Sequence, residues 1–175
     1  VDHLPDLVDA GVDSLKIEGR MKTALYVATV ARTYRKALDD LEKGREVYEQ
    51  NLPWYEQQIT GCTYRRFTTG FFYGKPDENS QIYDSNTYEK DYVYLGIAGQ
   101  PDAAGVFDLE QRNKFSVGET IEIMKPDGRN IEVTVEHIQD LEGNEQESAP
   151  HAKQALKVKL SSAPEAMDIL RRKDF

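Results

Sequence analysis

The chain has 175 residues, a net charge of −9 and a mean hydropathy of −0.66. This length suits one domain or a small domain with an appendage, and no apolar run approaches the length of a membrane span. The acidic excess falls in residues 76–175, because residues 1–75 hold equal numbers of basic and acidic side chains. An acidic half does not attract a phosphate backbone through its net charge, so we do not expect it to be the main grip on a nucleic acid.

Helical patterns dominate the first part of the chain. A short helix is predicted over 2–10. A long helix is predicted from Thr23, as its N-cap, to about Lys43, with Gly44 as its stop, because apolar residues recur there three and four positions apart. A third, shorter helix is predicted over 51–60, where Pro53 suits the first turn.

Between the first two helices, residues 12–18 alternate apolar and charged side chains. Leu15 and Ile17 share one phase, whereas Lys16 and Glu18 share the other. A strand of this kind that leads directly into a helix is typical of the mouth of an α/β barrel, where the polar phase is available for chemistry. We therefore predict that residues 12–18 form a strand.

The predicted catalytic residues are Lys16, Glu18 and Arg20. A carboxylate beside two cations can act as a base, orient a substrate carboxylate or bind phosphate. The alternative is that Lys16 and Glu18 form an internal ion pair that closes the barrel.

A segment of cations and rings follows the third helix. Arg65 and Arg66 are the predicted substrate-binding residues, and aromatic residues stand at 67 and 71–73. This mixture can stack on and clamp single-stranded RNA. The alternative is an aromatic plug that seals the end of the barrel. Residues 76–91 are rich in Pro, Asp, Asn and Ser, so they are predicted to be a linker.

After the linker, the apolar period changes to two. Strands are predicted over 92–98, 105–109, 119–124, 130–138 and 154–160, with a tight turn at 125–128. Short strands at this spacing favour a small antiparallel β-barrel. The side chains predicted to face inward are Ile121, Ile123, Ile131, Val133, Val135, Leu156, Val158 and Leu160. Those predicted to face water are Glu122, Glu132, Glu136, Lys157 and Lys159.

Two further residues bear on chemistry. His151 stands in a predicted loop with no second ligand at metal spacing, so we assign it to structure or to contact with a substrate or partner, and we predict no metal site. Cys62 is the only cysteine, which excludes an internal disulfide and suits a reducing cytoplasm, where we expect this protein. No histidine base accompanies this thiol in the sequence, so a passive thiol is favoured over a nucleophile.

Several stretches resemble the collagenase-like peptidase family U32. They are Gly11–Lys22, Arg66–Pro76, Glu110–Glu119 and Ala149–Ala152. The resemblance covers nearly the whole chain and implies a parent protein in which an (α/β) barrel precedes a compact β-barrel. We therefore expect an α+β chain. Its expected parts are a mainly helical remnant of the (α/β) barrel at 1–75, a linker at 76–91 and an accessory antiparallel β-barrel at 92–175.

The resemblance implies two parent activities. Family members are described as peptidases, collagenase-like in some cases, and related members hydroxylate RNA bases or quinone precursors with an iron–sulfur cluster held by cysteines. We expect the C-terminal part of a U32 peptidase, whose β-barrel binds a protein or peptide substrate or a partner and which is not catalytic alone. The alternative is part of a tRNA hydroxylation protein whose cluster cysteines lie upstream, because one cysteine cannot hold such a cluster. We also expect self-association through an uncovered N-terminal strand, and no membrane contact.

Overall fold

The computed structural model describes residues 1–61, 69–75 and 91–174. The helical unit contains α1 (Leu4–Asp9), α2 (Ala24–Lys43) and α3 (Arg45–Thr60). The sheet unit contains six strands, which are β1 (Tyr92–Ile97), β2 (Val106–Glu110), β3 (Thr120–Met124), β4 (Asn130–Gln139), β5 (Ala155–Leu160) and β6 (Ile169–Lys173). Within the described ranges, no helix is both long and apolar enough to cross a membrane. The linker and the domain boundaries predicted around it stay predictions, because residues 76–90 lie outside the described ranges.

The prediction of α2 is confirmed at both ends. The Thr23 hydroxyl accepts a hydrogen bond of 3.2 Å from the backbone N–H of Tyr26, and Gly44 ends the helix at a φ of 144°. The next helix begins immediately after Gly44 and is therefore longer than predicted. Its added turns are held in place because Tyr48 and Tyr55, both almost fully buried, pack in one cluster with α2.

The predicted strand over 12–18 is wrong. These residues have no regular secondary structure, and none of the strand pairings in the described ranges includes them. A strand requires a neighbour for its backbone groups. The segment is instead anchored by Leu15, which packs against the buried cluster that contains Leu4 and Tyr48. Another close contact is at Gly19, where a Cβ atom would lie 2.7 Å from Val27 Cγ2.

The six strands pair antiparallel in the order β1-β6-β3-β4-β5-β2. Strand β6, which lies between β1 and β3, was not predicted from the sequence. Nε of Arg171 on β6 donates a hydrogen bond of 2.9 Å to the carboxylate of Glu122 on β3, and Nη2 lies 2.8 Å from the same carboxylate oxygen as an ion pair. The guanidinium carbon of Arg171 also lies 3.7 Å from the centroid of the Tyr92 ring. Glu122 is therefore buried, and the prediction that it faces water is wrong.

The sheet is open, so the prediction of a closed β-barrel is wrong. A barrel requires a continuous ladder between its first and last strands. In the described part of the chain, the edge strands β1 and β2 share no ladder, and they meet at one bridge between Ala98 and Leu109. The fold is thus helical in its first part and an antiparallel six-stranded open sheet in its second.

The strand phases predicted the core well. Seven of the predicted inward residues are at most 3% exposed, and Ile131 packs partly buried against them. The predicted turn is confirmed by Gly128, which has a φ of 96° and donates its N–H to the carbonyl oxygen of Lys125. The structure also shows that β4 and β5 are neighbours, since Lys159 Nζ lies 3.5 Å from the carboxylate of Glu136.

The two units share a packed interface. Leu25 of α2 lies in one buried cluster with Met124 and Ile169 of the sheet. The backbone N–H of Asp91 donates to the carbonyl oxygen of Gly61 at 3.3 Å. The end of α3 therefore lies beside the start of β1, and the sheet unit sits directly on the helical unit.

Candidate functional site

The predicted catalytic residues lie on the irregular segment that precedes α2. Lys16, Glu18 and Arg20 are all exposed. A contact that joins two of them is a hydrogen bond of 3.2 Å from the backbone N–H of Arg20 to the carboxylate of Glu18. This bond is local, and it involves neither the ammonium of Lys16 nor the guanidinium of Arg20.

The alternative ion pair is not formed either. Across the described ranges, no ion pair within 4.0 Å joins Lys16 to Glu18. The three side chains therefore form an exposed, charged stretch rather than a buried catalytic set. Their catalytic assignment stays a prediction.

Arg65 and Arg66, the predicted substrate-binding residues, lie outside the described ranges, as does Cys62. Phe67 lies outside them too. The rings at 71–73 are described, and they are not a plug: Phe71 is 78% exposed and Tyr73 is 61% exposed. Rings buried under a barrel end would lack solvent contact on both faces. These rings are instead available to a binding partner.

Tyr73 ties this ring segment to α1. Its hydroxyl lies 2.8 Å from Nδ1 of His3 and donates a hydrogen bond to the carboxylate of Asp6. The bond to Asp6 raises the pKa of Tyr73, so the phenol stays protonated. The His3 ring also meets Tyr73 edge-on at 4.9 Å and stacks at 6.0 Å on Phe72. This cluster was not predicted from the sequence, because His3 and Tyr73 stand seventy positions apart.

A pocket opens beside the aromatic cluster, between α1 and α3. Its volume is about 560 Å³. Apolar side chains form one part of its lining and polar side chains the other. The apolar lining is Leu4, Leu7, Ile59 and Phe72, and the polar lining includes Asp2, His3, Tyr34, Glu56, Thr60 and Thr69. A cavity of this size and composition is typical of a small-ligand site.

His151 lies exposed in the loop after β4, as predicted. Its backbone carbonyl accepts the N–H of Gln154 at 3.0 Å, and nearby Gln111 donates its side-chain amide to the carbonyl of Ala149 at 2.8 Å. These bonds shape the loop. They do not involve the imidazole, so substrate binding by His151 stays a prediction.

The described residues offer no metal site, since no group of three or more His, Cys, Asp or Glu side chains is placed to hold an ion there. They also show no serine, threonine or cysteine hydrogen-bonded to a histidine, the pairing that activates most nucleophiles.

Comparison with known proteins adds the following findings. The profile of peptidase family U32 matches residues 1–82, and that of the peptidase family U32 C-terminal domain matches residues 90–171. The tRNA hydroxylation protein P1 of Bacillus subtilis is 34% identical over 173 residues, which are 98% of this chain and 41% of that protein. The tRNA hydroxylation protein P of Escherichia coli is 33% identical over 86% of this chain and 32% of that protein.

A third relative carries a different name. Collagenase of Porphyromonas gingivalis is 32% identical over 79% of this chain and 38% of its own length. The chain thus spans less than half of each of these three relatives. The crystal structure of the C-terminal domain of a Geobacillus thermoleovorans protein named as a U32 peptidase covers 47% of this chain and 92% of that chain, at 29% identity and a TM-score of 0.42.

Proposed function

This chain belongs to peptidase family U32, and we propose that it serves tRNA hydroxylation by binding tRNA. The observation that carries the proposal is the exposure of Phe71 and Tyr73 on a segment pinned to α1. Exposed rings on a fixed backbone stack on unpaired bases, and such contacts are worth about 1–3 kcal/mol per base. The names of the B. subtilis and E. coli relatives support tRNA as the nucleic acid.

Cations stand on the same unit as these rings. Lys16, Arg20 and Lys75 are exposed, and none of them is in an ion pair within the described ranges. A phosphate backbone requires such cations, because their binding releases the counterions of the nucleic acid. The helical unit therefore offers both components that a single-stranded RNA contact needs.

The sheet unit is a weaker candidate for the RNA contact. Several of its cations lie close to carboxylates: Lys157 is 3.4 Å from Asp108, and Arg112 is 2.8 Å from Glu110. These pairs cancel the positive potential that would attract phosphate. We assign the sheet unit an accessory role, in which it supports the helical unit and holds a substrate or partner.

Peptide hydrolysis is the second candidate function. It is favoured by the match to the P. gingivalis collagenase. The described residues that could contribute chemistry are the exposed Lys16, Glu18 and Arg20, and they lack a paired nucleophile. We therefore expect no independent turnover by this chain.

The residues present do not fit the iron–sulfur cluster that the resemblance implies. Such clusters are held by several cysteine thiolates, and this chain has Cys62 alone. We derive no step through the cluster, and the proposed role of the chain is limited to binding.

The test is filter binding of tRNA across a salt series. Phe71→Ala and Tyr73→Ala should each weaken binding about tenfold, the value of roughly one stacked base. Met167→Ala, which removes a side chain 75% exposed on the sheet unit, is the control and should leave binding unchanged. Lys16→Ala with Arg20→Ala should lower the salt slope by about two. Absence of tRNA binding at low salt would overturn the proposal, as would cleavage of denatured collagen that a Lys16, Glu18 and Arg20 triple alanine variant loses.

A further inference from the structure

We propose that the pocket between α1 and α3 binds one unstacked RNA base that carries an exocyclic amino group. This inference rests on the proposed function, because it names the part of the tRNA contact that reads a base. The pocket is called the α1 pocket below. Its volume of about 560 Å³ is ample for a nucleoside.

The apolar side of the α1 pocket suits a flat ring. Leu4 and Ile59 are nearly buried and form a fixed floor. Phe72 lines the wall and is 44% exposed, so one part of its ring reaches the cavity while another packs against His3. Single-stranded RNA is recognised in this way, with an unstacked base held against an aromatic side chain and its edge bonded to polar groups.

The polar side of the α1 pocket includes two carboxylates, beside hydroxyls and an imidazole that can donate as well as accept. The Asp2 carboxylate lies 3.6 Å from the terminal ammonium of Val1, so the Glu56 carboxylate is the acceptor left for a ligand. An ionised carboxylate can only accept hydrogen bonds. Tyr34 adds a hydroxyl, which burial and the charge of Asp2 keep protonated by raising its pKa. Carboxylates therefore favour a ligand whose edge donates.

This chemistry separates the four bases. Guanine, adenine and cytosine each present an exocyclic amino group. Guanine also has a ring N–H beside that group, so one carboxylate can accept a hydrogen bond from each of the two donors. Uracil presents two carbonyl oxygens around its single N–H, and these oxygens would oppose the carboxylate of Glu56. We therefore expect guanine to bind best and uracil worst.

The lining of the α1 pocket is already held in place. The Tyr48 hydroxyl donates to the carbonyl oxygen of Val1 at 2.7 Å, which fixes the backbone before Asp2. On the opposite side, Tyr73 bonds to His3 and so holds the neighbouring Phe72. A preformed site loses little conformational entropy on binding. Phe71, 78% exposed and next to Phe72, remains available for the adjoining base.

The test is an NMR titration of the full chain with GMP, AMP, CMP and UMP. All four carry the same phosphate and ribose, so differences report the base. GMP should bind at least tenfold more tightly than UMP. Glu56→Gln should weaken GMP binding about tenfold and strengthen UMP binding, because it removes the charge that opposes the uracil oxygens and adds an amide donor. The matched control is Glu42→Gln, which removes the same charge from an exposed position of α2 outside the pocket. Phe72→Ala should weaken all four nucleotides.

The outcomes separate this inference from the proposed function. Equal affinity for the four nucleotides, or equal effects of Glu56→Gln and Glu42→Gln, would overturn the base pocket. Displacement of GMP by an equal concentration of arginine amide would also overturn it, by assigning the pocket to a cationic side chain. If tRNA binds and depends on Phe71 while no nucleotide binds, the pocket inference fails and the proposed function stands. If nucleotides bind as expected and tRNA does not, the proposed function fails.

Discussion

The guanidinium of Arg32 on α2 donates a hydrogen bond of 2.9 Å to the carbonyl oxygen of Lys125 in the β3–β4 turn. It also donates to the carbonyl of Arg129 at 3.4 Å and to the side-chain oxygen of Gln58 at 2.5 Å. Arg32 is 6% exposed, and its guanidinium carbon lies 5.8 Å from the Trp54 ring centroid. One buried cation thus joins α2, α3 and the sheet.

Arg32→Ala should therefore lower the free energy of unfolding by about 3 kcal/mol, because it leaves several buried acceptors without a donor. The control is Arg35→Ala on the same helix, which removes an exposed ion pair with Asp39 and should cost less than about 1 kcal/mol. Urea denaturation measures both. Equal midpoints for the two variants would show that Arg32 does not hold the units together.

Gly128→Ala should destabilise the chain more than Gly143→Ala. Both glycines have positive φ, 96° and 89°, so each variant carries a similar backbone strain of about 1–2 kcal/mol. A Cβ atom at Gly128 would also lie 3.0 Å from Lys36 Cδ and 3.3 Å from a Trp54 ring carbon, whereas nothing lies within 4 Å at Gly143. The difference in Tm between the two variants reports the cost of this contact with Lys36 and Trp54. Equal shifts in Tm would contradict the prediction.

Glu122→Ala should destabilise the sheet by about 3–5 kcal/mol, because it leaves the charge of Arg171 buried and unpaired. Glu132→Ala, across the β3–β4 ladder at an exposed position, is the control and should change the stability by less than about 0.5 kcal/mol. The double variant Glu122→Leu with Arg171→Met should recover much of the loss, since it removes both charges. If the double variant were as unstable as Glu122→Ala, the unpaired charge of Arg171 would not be the cause of the loss.

Asp40 should make stability depend on pH in the acid range. Burial would raise its pKa, but hydrogen bonds from Lys36, Tyr55 and Lys43 lower it to about 2. Because the folded pKa lies below the unfolded value, this stabilisation is present above about pH 4 and is lost as the pH falls towards 2. The expected contribution at pH 7 is about 2 kcal/mol. Asp40→Asn should flatten the unfolding profile between pH 4 and 2, and Asp39→Asn should not.

Self-association should depend on the segment before α2. Met21 is 91% exposed and Ile17 is 41% exposed, so this segment presents apolar surface to solvent. Light scattering should show a smaller average mass for Ile17→Lys with Met21→Lys. The control, Leu141→Lys with Met167→Lys, adds the same charge to exposed positions of the sheet unit. The prediction would be contradicted if the unsubstituted chain were monomeric. Equal effects of the two double variants on the average mass would also contradict it.

Local patterns single out the charged stretch with Lys16 and Arg20, and the structure shows these side chains exposed. Their role in a site stays a prediction. The contacts of His3 with Tyr73 and Phe72 could not be predicted, because they join residues about seventy positions apart. The exposure of Phe71 likewise depends on where residues 71–73 lie relative to α1.

The sequence by itself determined α2, with its cap at Thr23, and the inward phases of β3, β4 and β5, because helix caps and alternating apolar residues act over a few positions. Only the tertiary structure decided that Glu122 is buried, since its partner Arg171 stands forty-nine positions away on a strand that sequence patterns missed. It likewise decided that residues 12–18 are not a strand, because extended backbone becomes a strand only beside a neighbour that satisfies its hydrogen bonds.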